Sequence, residues 1–244
     1  MRVPRAFTVL LLVAAGLTTS AAPAATLQIS PVTVELQAGE NASGITLRNP
    51  AGRPIYGQVR VFRWDQANGA DTLSASQDLI ASPPLIEIAP NGEQLVRLVR
   101  ASTAPVAGEL SFRILIDELP QPGETPTSGV TVRLRYSVPV FIEPPAKAGQ
   151  PQLSWHLSRT SAGWSMRVEN TGTRRAQIAA VKLVDAAGKA YVVNEGLLGY
   201  ALAGRAGQWN VPLPPDADLH GTVTIRAAVN AVAVEAVATV GQPG

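Results

Sequence analysis

Cysteine is absent from all 244 residues. That excludes disulfides, thiol nucleophiles and cysteine-ligated metals. Histidine is almost absent too: His156 and His220 lie on unrelated apolar stretches of the second half. Neither has partners at ligand or catalytic spacing, so no metal and no cofactor are expected. There is no Gly-x-Ser-x-Gly elbow, and the glycines follow turns rather than a phosphate-cradling loop. No segment carries a sustained 3.6-residue apolar stripe with caps. Past the first two dozen residues no apolar run is long enough to span a membrane as a helix. Aromatics make up only 5% of the chain, and Trp64, Trp155, Trp164 and Trp209 are expected in cores or on strand faces. A carbohydrate platform would need such rings exposed. These absences argue against an enzyme.

What is present begins with a leader. Arg2 and Arg5 precede the apolar run Phe7 to Leu17, and small residues follow, ending in Ala22-Pro23-Ala24. A basic start, a short apolar stretch and an A-x-A-like site predict a signal peptide over 1–24, cleaved after Ala24 or Ala25. Export as a soluble protein follows, with no membrane insertion after cleavage. The leader takes two of the 20 Lys+Arg and none of the 18 Asp+Glu, leaving 18 of each. A balanced mature chain gives no argument for nucleic acid or anionic membrane as partner. Without disulfides the chain must be held by its core, and 46% hydrophobic content makes that feasible.

The rest reads as all-β. Apolar runs of five to eight residues alternate with Gly, Pro, Asn and Asp punctuation. Strands are expected at 27–29, 32–36, 44–48, 55–62, 85–88, 94–99, 110–117 and 130–142. The run Glu143-Pro144-Pro145-Ala146-Lys147-Ala148-Gly149-Gln150-Pro151 then interrupts the pattern as a short, stiff linker. Strands resume at 152–157, 163–169, 177–184, 191–193, 207–213, 221–229 and 232–240. Two β-sandwich domains are predicted, 25–144 and 148–244, each of about seven strands.

The stretch GVTVRLRYSVPVFI, 129–142, is the longest of these runs. Its even positions are all large and apolar: Val130, Val132, Leu134, Tyr136, Val138, Val140 and Ile142. The odd ones are mostly polar, which is the period of a strand with one oily face. Pro139 cannot donate to a ladder, which predicts an edge strand. A long apolar edge invites pairing with another protein, or self-association of the free chain. The same pattern also suits an ordinary strand buried against its own core.

Taken in order, several pieces resemble one family. They are Ile29-Ser30-Pro31-Val32 with Gly39, Thr46-Leu47-Arg48-Asn49, and Val59-Arg60-Val61-Phe62 with Trp64. Ser82-Pro83-Pro84, Ile88-Ala89-Pro90-Asn91-Gly92 and Val96-Arg97-Leu98 continue the series. It closes with Phe112-Arg113-Ile114-Leu115-Ile116-Asp117-Glu118-Leu119-Pro120 and the 130–144 strand. The second half fits more loosely, through Val168-Glu169-Asn170-Thr171-Gly172 and Leu202-Ala203-Gly204 followed by Trp209. Their order and spacing resemble the PapD-like periplasmic chaperones of chaperone–usher pilus assembly. Trp64 and Tyr136-Ser137-Val138-Pro139-Val140-Phe141 look most like the archaic, or alternative, branch.

The resemblance implies two immunoglobulin-like domains in a boomerang. It implies a periplasmic protein that lends its long strand to pilus or fimbrial subunits and delivers them to an outer-membrane usher. Val130, Val132 and Leu134 would be the first donated side chains, with Tyr136 and Val138 further ones. Better-known members anchor the subunit's terminal carboxylate with an Arg and a Lys, and those positions hold Thr33 and Pro139 here. Neither is a cation. Arg113 and Arg97 are the candidates to replace them, each with an intradomain ion pair, for example to Glu118 or Glu87, as the competing role. A two-domain adhesin or carbohydrate-binding module is the alternative reading.

Overall fold

The computed structural model describes residues 27–123, 132–145, 149–161, 163–214, 217, 219 and 221–241. The expected leader, Val130 and His220 lie outside them. The described residues form strands and no helix. In chain order these are β1 (Gln28–Ser30), β2 (Val34–Leu36), β3 (Ala42–Arg48), β4 (Ile55–Ala67), β5 (Ala70–Ala75), β6 (Leu79–Ser82), β7 (Leu85–Ile88), β8 (Glu93–Arg100), β9 (Leu110–Leu119) and β10 (Arg135–Ile142). Past the proline-rich segment come β11 (Leu153–Thr160), β12 (Gly163–Asn170), β13 (Ala176–Val184), β14 (Ala190–Ala201), β15 (Arg205–Val211), β16 (Val223–Val229) and β17 (Val232–Val240).

The first ten strands make two packed sheets, β1-β3-β8-β6 and β2-β10-β9-β4-β5, with β7 also on β4. Their inner faces alternate, and Ile45, Leu47, Val96, Leu98, Phe112, Ile114, Val140 and Ile142 close one dry core. The opening strand divides between the sheets: β1 pairs antiparallel with β3, whereas β2 runs parallel to β10. The last seven strands form one sheet, β14-β13-β16-β17-β11-β12-β15, around a second core with Trp155, Met166, Ile178 and Ile225.

The first half therefore has ten strands rather than about seven. Eight runs are expected there, with 27–29 and 32–36 already separate; the two added strands are β5 and β6, and β4 runs on to Ala67. Every residue of β5 is exposed, so it shows no apolar alternation. Backbone pairing to β4 forms it, through an Asn68-Gly69 turn with φ of 54° and 79°.

Two buried asparagines hold equivalent corners. Asn49 donates to the carbonyls of Arg53 and Ile88 at 2.8 and 3.0 Å and accepts from the Ala51 N–H. Asn170 donates to the carbonyls of Arg174 and Ala201 at 2.8 and 3.0 Å and accepts from the Gly172 N–H. Each side chain replaces turn hydrogen bonds that burial would otherwise leave unmade. Both sit in segments that carried the family resemblance. Gly172 is also sterically required, since a Cβ there would lie 2.5 Å from the Gln150 carbonyl oxygen.

Candidate functional site

The apolar run ending at Ile142 is divided by its surroundings. The ladder to β9 begins at Arg135↔Asp117 and ends at Ile142↔Leu110. The Glu118 N–H donates to the Leu134 carbonyl at 3.0 Å. Even residues therefore direct their backbone groups to β9 and odd residues direct theirs outward. β2 covers the outward side only along Val140–Ile142. From Arg135 to Pro139 that side has no strand partner among the described residues, and Pro139 sits where its missing N–H costs no ladder bond. The expected edge strand is thus an edge over its first five residues and interior over its last three.

Side chains follow the same division. Val138, Val140 and Ile142 are buried in the first core. Val138 is only 4% exposed, so it is committed to the protein's own interior and cannot be donated in this fold. Tyr136 is half-buried, and its hydroxyl accepts the Leu27 N–H at 3.0 Å. Burial raises its phenol above the usual range. Val132 and Leu134 are 70% and 37% exposed and precede the strand. The run expected as one strand from 130 is a strand from Arg135.

A cleft of about 550 Å³ lies beside this edge, lined by Thr33, Ser137, Pro139, Arg113, Asp71 and Tyr200 among others. Thr33 and Pro139, the two departures from the family's anchor, therefore face the same space as Arg113. The Arg113 guanidinium stacks 3.7 Å over the Trp64 ring and 5.5 Å from that of Tyr200. Among the described residues its carboxylate partner is Asp71 at 3.9 Å, not Glu118 or Glu87. Burial lowers its pKa, and Asp71 only partly offsets that. A desolvated cation with one distant counter-ion and a cleft in front of it is suited to an incoming anion. Arg97 does not share the site. It alternates with buried Val96 and Leu98 and is exposed on the outer face of the four-stranded sheet. The face-alternation of β8 excludes it as an anchor.

The cleft walls are held by contacts that sequence reasoning missed. Trp64 and Phe141 from the first half pack with Tyr200 and Leu202 from the second. Gln66 donates to the Tyr200 carbonyl at 2.8 Å and accepts from the Leu202 N–H at 2.9 Å. At the hairpin tip the Gln208 N–H donates to the Gly69 carbonyl at 2.9 Å. Asp65 pairs with Arg205, whose hydrogen bond pulls that carboxyl below its usual range. On the far side Arg175 stacks 3.7 Å over Phe141 and donates to Glu109 and Glu35. Arg174 bonds Glu143 at 2.8 Å, so the proline-rich linker starts inside this network. Burial pushes the Glu109 carboxyl up, against the pull of Arg175. No periodicity marks these residues, because many sit at strand ends or in turns and each acquires its partner from the other half.

On the outer face nearer the start of β10, Asp117 accepts from Arg60 of β4 at 2.6 Å and from Arg135. Burial alone would raise its carboxyl, but the two guanidiniums outweigh it and lower it.

Residues 26–148 match the family described as pili and flagellar-assembly chaperone, PapD N-terminal domain. Among solved structures, the CsuC–CsuE chaperone–tip adhesion subunit pre-assembly complex from archaic Csu pili of Acinetobacter baumannii is similar. The identity is 23%, the TM-score 0.69, and the match covers 89% of this chain and 100% of that chain. The CupB2 chaperone of Pseudomonas aeruginosa is 18% identical, with TM-score 0.57, 88% of this chain covered and 100% of that one. The Salmonella enterica SafA pilin–SafB chaperone complex gives 19%, TM-score 0.59, and coverage of 86% and 93%. No curated protein sequence matches. The family match spans half of the sequence and includes the edge strand and the arginine that faces the cleft. The chain belongs to the pili and flagellar-assembly chaperone family.

Proposed function

We propose that this chaperone works in the periplasm, binding pilus subunits by lending them the segment around Val132 and Leu134 and passing them to an outer-membrane usher. One observation carries the reading. Two exposed apolar residues on one face lead into a strand edge unpaired among the described residues, beside a cleft that holds a poorly compensated arginine. A subunit lacking a strand needs backbone pairing and alternating apolar side chains. Each aliphatic side chain fully buried in such a groove contributes roughly 1.5–3 kcal/mol before entropy costs. Val130 extends the same series in sequence. Arg113 is the candidate anchor for the subunit's terminal carboxylate, taking over from Thr33 and Pro139. The leader over 1–24 supports the periplasm, and domains over 25–144 and 148–244 fit the two separate cores. CsuC and SafB, solved with subunits, support the subunit class as partner. Three of the four tryptophans, Trp64, Trp155 and Trp164, are buried and offer no glycan platform, and Trp209 is half-buried in the cleft wall.

The test is co-purification from periplasm of the tagged chain with the subunit-like protein encoded beside it. Wild type is expected to carry the subunit. A folded Val132→Asp, Leu134→Asp variant is expected to carry none, with the subunit degraded. Retention of the subunit by that variant would overturn the strand assignment. For the anchor, Arg113→Ala should weaken the complex about tenfold or more. It should weaken nothing further when the subunit carries a C-terminal extension that already displaces its carboxylate.

A further inference from the structure

The donated residues lie just beyond the last rung of a ladder, and something must hold that end in place. Arg135 and Asp117 stand directly opposite each other. The backbone bond at Leu134–Glu118 makes Arg135–Asp117 a pair without mutual backbone hydrogen bonds, where side chains approach most closely. Arg135 therefore has no backbone link to β9, and its attachment there is its guanidinium bond to Asp117. Asp117 is itself fixed from the third strand: Arg60 bonds the other carboxylate oxygen at 2.6 Å. The Asp117 side chain is 15% exposed, whereas that of Arg135 is 62% exposed. The acceptor is held rigidly and the solvent-facing donor is captured by it. Beside this clamp the Leu134 N–H reaches the Glu118 carboxylate at 3.3 Å.

We propose that Asp117 is the positioning residue that pins the register of the donated segment: held by Arg60, it fixes Arg135, so Val132 and Leu134 are presented on one face and at one height along the edge. The physical need is specific to strand donation. A slip of one residue turns every apolar side chain to the wrong face, and a slip of two offers the groove the wrong pair. A frayed end would also have to be ordered when the subunit binds, which costs affinity. An exposed arginine left to solvent would satisfy solubility equally well but would not constrain register. The alternative is an ordinary outer-face ion pair with no hold on the segment. This proposal rests on the strand-donation reading, and its test separates the two.

Because the chain has no cysteine, Val132→Cys gives a unique site for a nitroxide label. In the free protein the label is expected to show restricted motion. Asp117→Asn and Arg135→Ala should release it, Arg60→Ala should release it partly, and Arg135→Lys should keep it restricted. Equal mobility in all five proteins would overturn the pin. So would release in Arg135→Lys as complete as in Arg135→Ala, because the conservative change keeps the charge that Asp117 holds. Thermal melts confirm that each variant is folded, and Arg135→Ala, at an exposed side chain, serves if Asp117→Asn is not. With the co-purified subunit, Arg135→Ala should speed dissociation about fivefold, the equivalent of one exposed charge pair. If the label responds as expected but wild type carries no subunit, the pin stands and the strand-donation reading fails. If the subunit is carried but the label is indifferent, the reverse holds.

Discussion

The two ends of one period-two run meet different fates. At Val138, Val140 and Ile142 the apolar face is closed by the opposing four-stranded sheet, and β2 covers the edge from Val140 onward. At Val132 and Leu134, 70% and 37% exposed, the same face continues with neither cover among the described residues. Nothing in the alternation changes between the ends. Periodicity determines which side chains share a face, whereas the identity of the opposing wall depends on where the rest of the chain runs out. At the buried end that wall is the protein's own core. At the exposed end the proposed function makes it a pilus subunit.

The comparison can be broken most severely at its buried end. Val140 is 0% exposed, so Val140→Asp puts a charge where no partner or water compensates it. The cost is several kcal/mol, a large part of the roughly 5–15 kcal/mol that holds a domain together. Thermal denaturation followed by circular dichroism should show no native-like transition. A folded Val140→Asp protein with a near-normal melt would show that this end is not a core. A milder pair sharpens the same contrast. Val138→Ala should lose about 1–2 kcal/mol in urea denaturation, whereas Leu134→Ala should stay within about 0.5 kcal/mol. Equal losses would mean that the two ends share one environment.

The smallest expected effect is electrostatic and lies at the boundary between the ends. Asp117 is held below its ordinary range, so its folded state binds fewer protons than its unfolded state at mildly acidic pH. Its contribution is complete above the ordinary aspartate value of about 3.9 and fades only as pH falls through the lower native value. Urea midpoints of wild type and Asp117→Asn should therefore differ by a constant amount from pH 7 to about 4 and converge below that. Convergence already near pH 6 would mean that Arg60 and Arg135 do not hold the carboxylate charged.

Much of this was legible in advance, for identifiable reasons. Strands with one buried face announced themselves by alternation, and the buried asparagines at 49 and 170 stood in the segments that carried the family resemblance. β5 was illegible because Ala-Asp-Thr-Leu-Ser-Ala buries nothing and depends on the backbone of β4. Arg113 and Arg97 looked alike in sequence, each an arginine within an apolar strand. They parted because Arg97 faces solvent across the four-stranded sheet, whereas Arg113 faces Trp64 and the second half. Asp117 was quoted within a motif but showed no role, since its partners come from strands 57 residues before it and 18 residues after it.

By itself the sequence determined the all-β class, the division around the proline-rich segment, the apolar alternation leading up to Ile142 and the lack of a thiol. Those properties are local: they depend on residue type and on the fixed geometry of an extended backbone. Only the tertiary structure decided where that run stops being core, which arginine meets the cleft, and how Trp64, Phe141, Tyr200 and Leu202 join the halves. Those outcomes depend on contacts between residues far apart in the chain. Whether a face is buried, paired or left open is a property of its neighbours, and the alternation of one strand does not encode them.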